Sequence, residues 1–204
     1  MREAMAHAVR KSGRTSGGRP VPAANLHVTL AFLGSVPERR LAELAEIARA
    51  ATSAPASASA GMPASAGVPR SPPTAAGESA ELPEEGLELT FDHLEHWRAA
   101  QLLCALPAEP PAPTAPTVVL ALRLQDQLTA RGFAPDLKPF RPHVTVVRKV
   151  SQPGRMEKMH PVVWSFTELA LIESRTLPEG PLYSVVEAYP LCTGRNAANN
   201  SETP

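Results

Sequence analysis

The sequence predicts an α+β protein in which two similar lobes meet at a central cleft. Three observations indicate this architecture. Helix-then-strand units recur in both halves of the 204 residues, 43% of the residues are hydrophobic and can supply a core, and each half carries one His-x-Thr triplet inside an apolar, β-branched run. The triplets span residues 27–29 and 143–145. Chance alone would place roughly 0.4 such triplets in this chain, so two copies in matching contexts are informative.

Apolar periodicity predicts three elements in the first half of the chain. Helices are expected over Met1–Arg14 and Pro37–Ala50, where apolar residues recur every three or four positions. The β-branched run Leu26–Leu33 predicts a strand that ends at Gly34. The first triplet would then lie within this strand.

The second half is expected to contain most of the strands. The four-residue spacing of leucines predicts one helix, closed by Gly132. In chain order the elements are strands Leu87–Trp97 and Gln101–Leu106, the helix Thr117–Arg131, and strands Val144–Val150, Val163–Ile172 and Tyr183–Tyr189.

Two segments are expected to lie outside the packed structure of a single domain that spans residues 1–204. Ala51–Ala80 contains 10 Ala, 6 Ser, 5 Pro and 3 Gly, which predicts a disordered insertion. Pro107–Pro116 holds five prolines in ten residues and predicts a stiff, extended connector. The acidic stretch Glu81–Glu95 is interpreted as a solvated strand face and turn rather than a metal site.

Composition restricts the class of partner and the compartment. Twenty basic residues balance 20 acidic ones, which argues against a broad basic surface for long nucleic acid but allows a small cleft for one phosphate. No apolar run approaches the roughly 18 residues of a membrane span, and the first 18 residues are charged rather than a signal peptide. Cys104 and Cys192 have no metal-ligand spacing around them, which favours reduced thiols. We expect a soluble, cytoplasmic monomer with no membrane partner.

Two His-x-Thr strands would bring two proton carriers to one spot. Side chains two apart in a strand point to the same face, so His27 and Thr29 would share one face, as would His143 and Thr145. One imidazole can accept a proton from water that attacks a phosphodiester while the other protonates the leaving oxygen. Each Thr hydroxyl can donate to a nonbridging phosphate oxygen. This scheme requires no metal.

Other interpretations of these histidines stay open. A lone His in a strand is more often a structural residue than a catalytic one. His27 and His143 could also ligate zinc, although His93 and His96 stand in an acidic region without a His-Glu-x-x-His pattern. A nucleophilic triad is disfavoured because no Ser or Cys lies in a Gly-x-Ser-x-Gly context.

The motifs together resemble those of a known family. The sequence is similar to the 2H phosphoesterases, and within them to the RNA 2',3'-cyclic phosphodiesterases, also described as 2'-5' RNA ligases. The resemblance covers most of the chain outside the two Pro-rich segments. It is carried by residues 18–21 (GRPV), 25–34 (NLHVTLAFLG), 140–145 (FRPHVT), 173–175 (ESR), 180–183 (GPLY) and 189–191 (YPL).

The resemblance implies a fold, an activity and residue roles. It implies a bilobal fold with a cleft, no required metal or cofactor, and hydrolysis of 2',3'-cyclic phosphate ends of RNA or nucleotides to 2'-phosphates. His27 would donate a proton to the leaving 3'-oxygen and His143 would activate water. The phosphate would be held by Thr29 and Thr145, with Arg148 as a further contact.

Two of the implied site residues have a second interpretation. Strict alternation places Arg148 on the face opposite His143, so a bulge or a strand end would have to redirect it. Phe140 is a candidate for stacking on a base, with a packing role as its equal alternative.

The chain departs from the family pattern at its N-terminus. Family members usually begin with an apolar strand ahead of the first helix, whereas Met1 already lies in the expected helix. We expect that the true start lies upstream or that this form is shortened and less stable. The alternatives to hydrolysis are a binding module for phosphorylated RNA ends, and a 2H enzyme that acts on another cyclic phosphate or on a 2'-5' linked substrate.

Overall fold

The computed structural model describes residues 1–52, 87–135, 138–154, 156, 158–177 and 180–191. Four α-helices and eight strands lie within these residues, and every strand pair is antiparallel. The predicted α+β class is confirmed. No helix in the described part of the chain is long and apolar enough to span a membrane.

The helices form where the apolar periodicity predicts them. Their bounds are α1 (Arg2–Ala8), α2 (Arg10–Thr15), α3 (Leu41–Thr52) and α4 (Pro116–Ala130). The predicted first helix divides at Val9, and a short 3-10 turn precedes α3. Pro116 occupies the first turn of α4, where its missing N–H costs no hydrogen bond, and Gly132 follows the helix end with a φ of +73°.

The strands form one four-stranded sheet and two two-stranded sheets. The larger sheet has the order β1-β5-β4-β3, β2 pairs with β6, and β7 and β8 form a long hairpin. The bounds are β1 (Arg19–Pro20), β2 (Leu87–Phe91), β3 (His93–Trp97), β4 (Leu102–Leu106), β5 (Val144–Arg148), β6 (Val162–Phe166), β7 (Glu168–Leu177) and β8 (Gly180–Pro190).

Two predicted strands are wrong because each is divided between two sheets. Leu87–Trp97 breaks at Asp92, where the chain leaves the β2–β6 pair and enters the larger sheet, and Asp92 accepts a 2.6 Å hydrogen bond from the Ala108 amide. Val163–Ile172 breaks in the same way at Thr167, between β6 and the hairpin. An apolar run cannot show such a break, because the pairing partners come from distant parts of the chain.

The predicted strand Leu26–Leu33 is also wrong. This segment pairs with its neighbour through one isolated bridge, between Val28 and Val144. Its apolar side chains change cores along its length: Leu26 and Val28 pack in the first core, and Leu30 in the second. A segment that crosses between cores leaves the sheet after one bridge and cannot continue a ladder.

The two largest hydrophobic clusters divide the described part of the molecule. The first joins α1 to the larger sheet and to the β2–β6 pair, and the second joins α3 and α4 to the base of the hairpin. Phe166 packs against both clusters. The segment with the first triplet therefore lies where the two clusters meet.

Gly18 allows β1, which the sequence did not predict, to lie against β5. A Cβ at Gly18 would stand 2.6 Å from the Arg148 carbonyl oxygen and 2.7 Å from methyl carbons of Val147 and Val150. Such distances are too short for any side chain. The close approach places the chain that leads to the first triplet beside the strand that carries the second.

Two segments bear on the domain prediction. Residues 51 and 52 end α3, and the rest of the predicted insertion lies outside the described residues, as do Cys192 and residues 81–86. Residues 107–115 form an irregular connection between β4 and α4. The single-domain organisation stays a prediction.

Candidate active site

Five polar residues of the two motif regions line one pocket. They are His27, Thr29, His143, Thr145 and Arg148, and the pocket is completed by Val21 and Asn25. The first triplet reaches the pocket from the irregular segment, and the second from the start of β5. The structure thus brings together all the predicted site residues except Phe140, which is half-buried and does not line the pocket.

The two imidazoles are held in the same way. The Nδ1 of His27 lies 2.7 Å from the carbonyl oxygen of Asn25, and the Nδ1 of His143 lies 2.9 Å from that of Arg141. A carbonyl oxygen can only accept, so each Nδ1 carries the proton and donates it. Proton exchange with a ligand therefore falls to Nε2 of each ring.

A β-bulge turns Arg148 toward the pocket. Leu103 pairs with Val147 and Cys104 pairs with Thr145, so Val146 is an extra residue in β5. The extra residue reverses the alternation of faces, and Val146 and Val147 are both buried as a result. Arg148 consequently shares the face of Thr145, as its place in the pocket lining requires.

Tyr183 is a residue of this site to which sequence reasoning gave no role. Arg148 Nη2 donates a 2.9 Å hydrogen bond to its hydroxyl. Its ring meets the His27 imidazole edge-on, with centroids 5.1 Å apart and planes at 69°. Tyr183 is therefore in contact with one residue from each motif region.

A second bulge directs Tyr183 to these partners. Leu171 pairs with Glu187 and Ile172 pairs with Val185, which makes Val186 an extra residue in β8. Without it, Tyr183 would lie on the same face as Glu187, which borders α3.

Trp97 and a charged pair surround His143. The Trp97 ring lies 4.5 Å from the His143 ring, centroid to centroid. The guanidinium carbon of Arg141 lies 5.7 Å from the centroid of the Trp97 ring. Arg141 also forms an ion pair with Glu95, in which its Nη1 donates a 3.2 Å hydrogen bond to Oε1. The Arg141 guanidinium keeps the pKa of Glu95 below its usual value.

These surroundings alter the acidity of His143. Burial lowers its pKa below the ordinary value of 6.5, against the opposing effect of the hydrogen bond to the Arg141 carbonyl. The nearby His27 and Arg141 charges lower the His143 pKa further. At neutral pH the ring is therefore neutral, and Nε2 can accept a proton.

Cys104 lies behind Thr145 in the sheet. Its Sγ is 3.9 Å from the Thr145 hydroxyl oxygen, and the thiol is fully buried. Burial raises the pKa of Cys104 to about 11, so the thiol stays protonated and is a poor nucleophile. Within the described residues, no group of three or more His, Cys, Asp or Glu side chains could hold a metal ion.

The rarity of Trp and Tyr in this chain is the compositional feature that could have drawn attention to Trp97 and Tyr183, the aromatic residues beside the two histidines. The chain has only 2 Trp and 2 Tyr, and one of each contacts a motif histidine. Their proximity to the histidines could not be read from the sequence, because Trp97 and Tyr183 lie 46 residues before His143 and 156 residues after His27 along the chain.

Comparisons with known proteins agree with the motif resemblance. The family model described as LigT like Phosphoesterase matches residues 3–60. The RNA 2',3'-cyclic phosphodiesterase of Escherichia coli (strain K12) is 28% identical over 135 residues, which are 66% of this chain and 57% of that protein. The protein of the same name from Thermus thermophilus is 25% identical, over 100% of this chain and 90% of its own length.

A solved structure matches the fold over most of the chain. The crystal structure of E. coli LigT complexed with 3'-AMP superposes with a TM-score of 0.67 at 24% identity, and covers 93% of this chain and 90% of that one. The predicted resemblance to the 2H phosphoesterases is confirmed.

Proposed function

Since the chain has the fold of LigT and carries two His-x-Thr motifs that resemble those of the 2H phosphoesterases, we propose that it hydrolyses RNA 2',3'-cyclic phosphate ends to 2'-phosphomonoesters. The observation that carries this proposal is the convergence of two histidines, two threonines and one arginine on a single pocket. The names of the two curated relatives support the same reaction. The reaction needs a base, an acid and donors for the phosphate oxygens, and these side chains can supply all three.

His143 is the proposed base. Its lowered pKa keeps the ring neutral near pH 7, and its Nδ1–H is engaged with the Arg141 carbonyl. Nε2 accepts a proton from a water molecule as the water oxygen attacks phosphorus. The imidazolium that results is stabilised in the cleft by the negative charge that develops on the phosphate.

His27 is the proposed acid. In its protonated form the ring carries a second proton on Nε2, besides the Nδ1 proton that binds the Asn25 carbonyl. As the bond from phosphorus to the ribose 3'-oxygen breaks, Nε2 gives this proton to the oxygen. The 2'-ester bond stays intact, so the product is a 2'-phosphate.

Three side chains are proposed to hold the phosphate. Thr29 and Thr145 each offer a hydroxyl donor, and Arg148 offers N–H groups of fixed geometry and a positive charge. The hydrogen bonds that they donate would become stronger as negative charge builds on the nonbridging oxygens in the transition state. None of these contacts reads a base, so the pocket is expected to accept ends of any sequence.

The test is product analysis with purified protein. Adenosine 2',3'-cyclic monophosphate and a short oligonucleotide that ends in a 2',3'-cyclic phosphate are each incubated with the wild type and with the H27A/H143A double variant. Formation of the 2'-phosphate, and not the 3'-phosphate, by the wild type alone supports the proposal. Binding of a 2'-phosphate nucleotide without turnover would instead indicate a binding module, and cleavage of a 2'-5' linked dinucleotide alone would indicate another 2H substrate.

A further inference from the structure

One hydrogen bond joins two strands of different sheets at the rim of the pocket. Arg148 in β5 donates from Nη2 to the Tyr183 hydroxyl in β8 at 2.9 Å. Each partner is brought there by a β-bulge, at Val146 in β5 and at Val186 in β8. Two independent irregularities thus serve a single contact, and a bulge commonly redirects a side chain next to a functional site.

The contact leaves Arg148 able to bind an anion. A guanidinium has five N–H donors, and the bond to Tyr183 uses one of them. An unconstrained arginine side chain has several rotatable bonds, so a fixed attachment reduces the entropy that is lost when the remaining donors bind an oxyanion. Arg148 also lines the pocket beside both threonines.

The ring of Tyr183 makes a separate contact. It meets His27 edge-on at 5.1 Å, on the other motif region. Its hydroxyl and its ring therefore act on different partners. A phenylalanine at this position would keep the ring contact and lose only the hydrogen bond to Arg148.

We propose that Tyr183 is a positioning residue of the phosphate site, whose hydroxyl orients the Arg148 guanidinium toward the bound phosphate while its ring supports the His27 imidazole. The hairpin thereby supplies a third component of the site, beyond the two His-x-Thr segments. This inference rests on the proposed function, because it assigns the ligand of Arg148 as the substrate phosphate.

The test compares Y183F, R148A and the double variant. Affinity for adenosine 2'-monophosphate is measured by calorimetry. The kcat and KM values are measured by steady-state kinetics with adenosine 2',3'-cyclic monophosphate as the substrate. We expect Y183F to weaken nucleotide binding and raise KM about threefold to tenfold, the effect of losing one ordinary hydrogen bond. Because the contacts of Arg148 strengthen in the transition state, kcat should fall as well. In the R148A background the same change should have no further effect on binding, because the partner is already absent.

L182A is the matched control. Leu182 is the neighbour of Tyr183 in β8, is 50% exposed, and points to the opposite face by alternation. This variant should leave binding, KM and kcat unchanged. Two results would overturn the proposal. One is a double variant whose loss of affinity equals the product of the two single losses, and the other is a Y183F variant that binds the nucleotide as tightly as the wild type.

A ligand-free measurement separates this proposal from the proposed function. The Arg148 Nε–H signal in a ¹H–¹⁵N spectrum, identified by its loss in R148A, should shift or broaden in Y183F and stay in place in L182A. If the wild type binds the nucleotide but turns over no cyclic substrate, the proposed reaction is refuted. The Arg148 signal then still shows whether Tyr183 orients Arg148, because it requires no turnover. An unchanged Arg148 signal in Y183F would refute the positioning role in an active enzyme.

Discussion

His27 and His143 present the same ring nitrogen to one pocket, because each donates its Nδ1–H to the main-chain carbonyl two residues before it, at 2.7 Å and 2.9 Å. The local hydrogen bond is the same in both copies of the motif, so it cannot by itself separate an acid from a base. The rings around them differ: Tyr183 stands beside His27, and Trp97 beside His143. The division of roles therefore depends on the tertiary surroundings.

Replacement of either histidine should abolish most turnover. We expect H27A and H143A each to lower kcat on a 2',3'-cyclic nucleotide by at least about a hundredfold, because a general acid or base contributes at least that much. H7A is the control, since His7 is exposed on α1 and does not line the pocket. Full activity in both single variants would refute the two-histidine mechanism.

The pH profile of kcat/KM should report the burial of His143. Its pKa is lowered, so the ring is neutral above that pKa, and activity should fall as the pH drops through it, at a midpoint below 6.5. W97A removes the ring that shields His143 and should move the acid limb toward 6.5, while W97F should preserve it.

F32A serves as the control for the pH profile. Phe32 is 66% exposed and does not line the pocket, so this change should leave the acid limb unmoved. An acid limb that stays in place in W97A would contradict the role of Trp97 in burying the base.

Chelation should leave activity intact. The proposed proton transfers use Nε2 of two histidines and no metal, so treatment with EDTA followed by dialysis should keep kcat within about twofold of the untreated enzyme. Adding back zinc should give no increase. Strong inhibition by EDTA with recovery on zinc addition would favour the zinc interpretation of His27 and His143.

The packing of Gly18 predicts a link between stability and phosphate binding. G18A would place a methyl group 2.6 Å from the Arg148 carbonyl oxygen, so β1 or β5 must shift. We expect a lower free energy of unfolding, by about 1–3 kcal/mol, and a higher KM as Arg148 is displaced. Urea denaturation and steady-state kinetics measure the two effects.

G13A is the matched control for this position. A Cβ at Gly13 would meet the same strand, at Val147, but at an ordinary contact distance of 3.6 Å, and the residue lies in α2. Alanine there should keep or slightly raise stability, since it is the better helix former. Equal losses in G13A and G18A would show that the close approach to β5 is not the cause.

Sequence periodicity predicted the helices well and the strands less well. The buried leucines of α4, Leu120, Leu124 and Leu128, follow the helical repeat, which depends only on local geometry. The breaks at Asp92 and Thr167 could not be predicted, because a change of sheet depends on which distant strand offers hydrogen bonds. Leu26–Leu33 has the composition of a strand, but only one bridge to Val144 forms.

The site followed a similar division. The two triplets, with their histidines and threonines, were evident from the residue types. Arg148 was implied by the family resemblance, and the need for a bulge there followed from strict alternation. The location of that bulge at Val146 depends on the register with β4, which no local pattern encodes. Trp97 lay in no motif, and Tyr183 belonged to the GPLY segment of the resemblance without a role in the site. Only the packing of their strands reveals their neighbours.

The sequence by itself therefore determined the chemistry that is available: two imidazoles, two hydroxyls and a guanidinium, in patterns that place each His and Thr two residues apart. The tertiary structure decided how these groups meet and how the histidines differ, because both depend on contacts between residues far apart in the chain. Burial lowers the pKa of His143, and two β-bulges bring Arg148 and Tyr183 together beside His27. Burial and strand register arise only when the sheets are assembled.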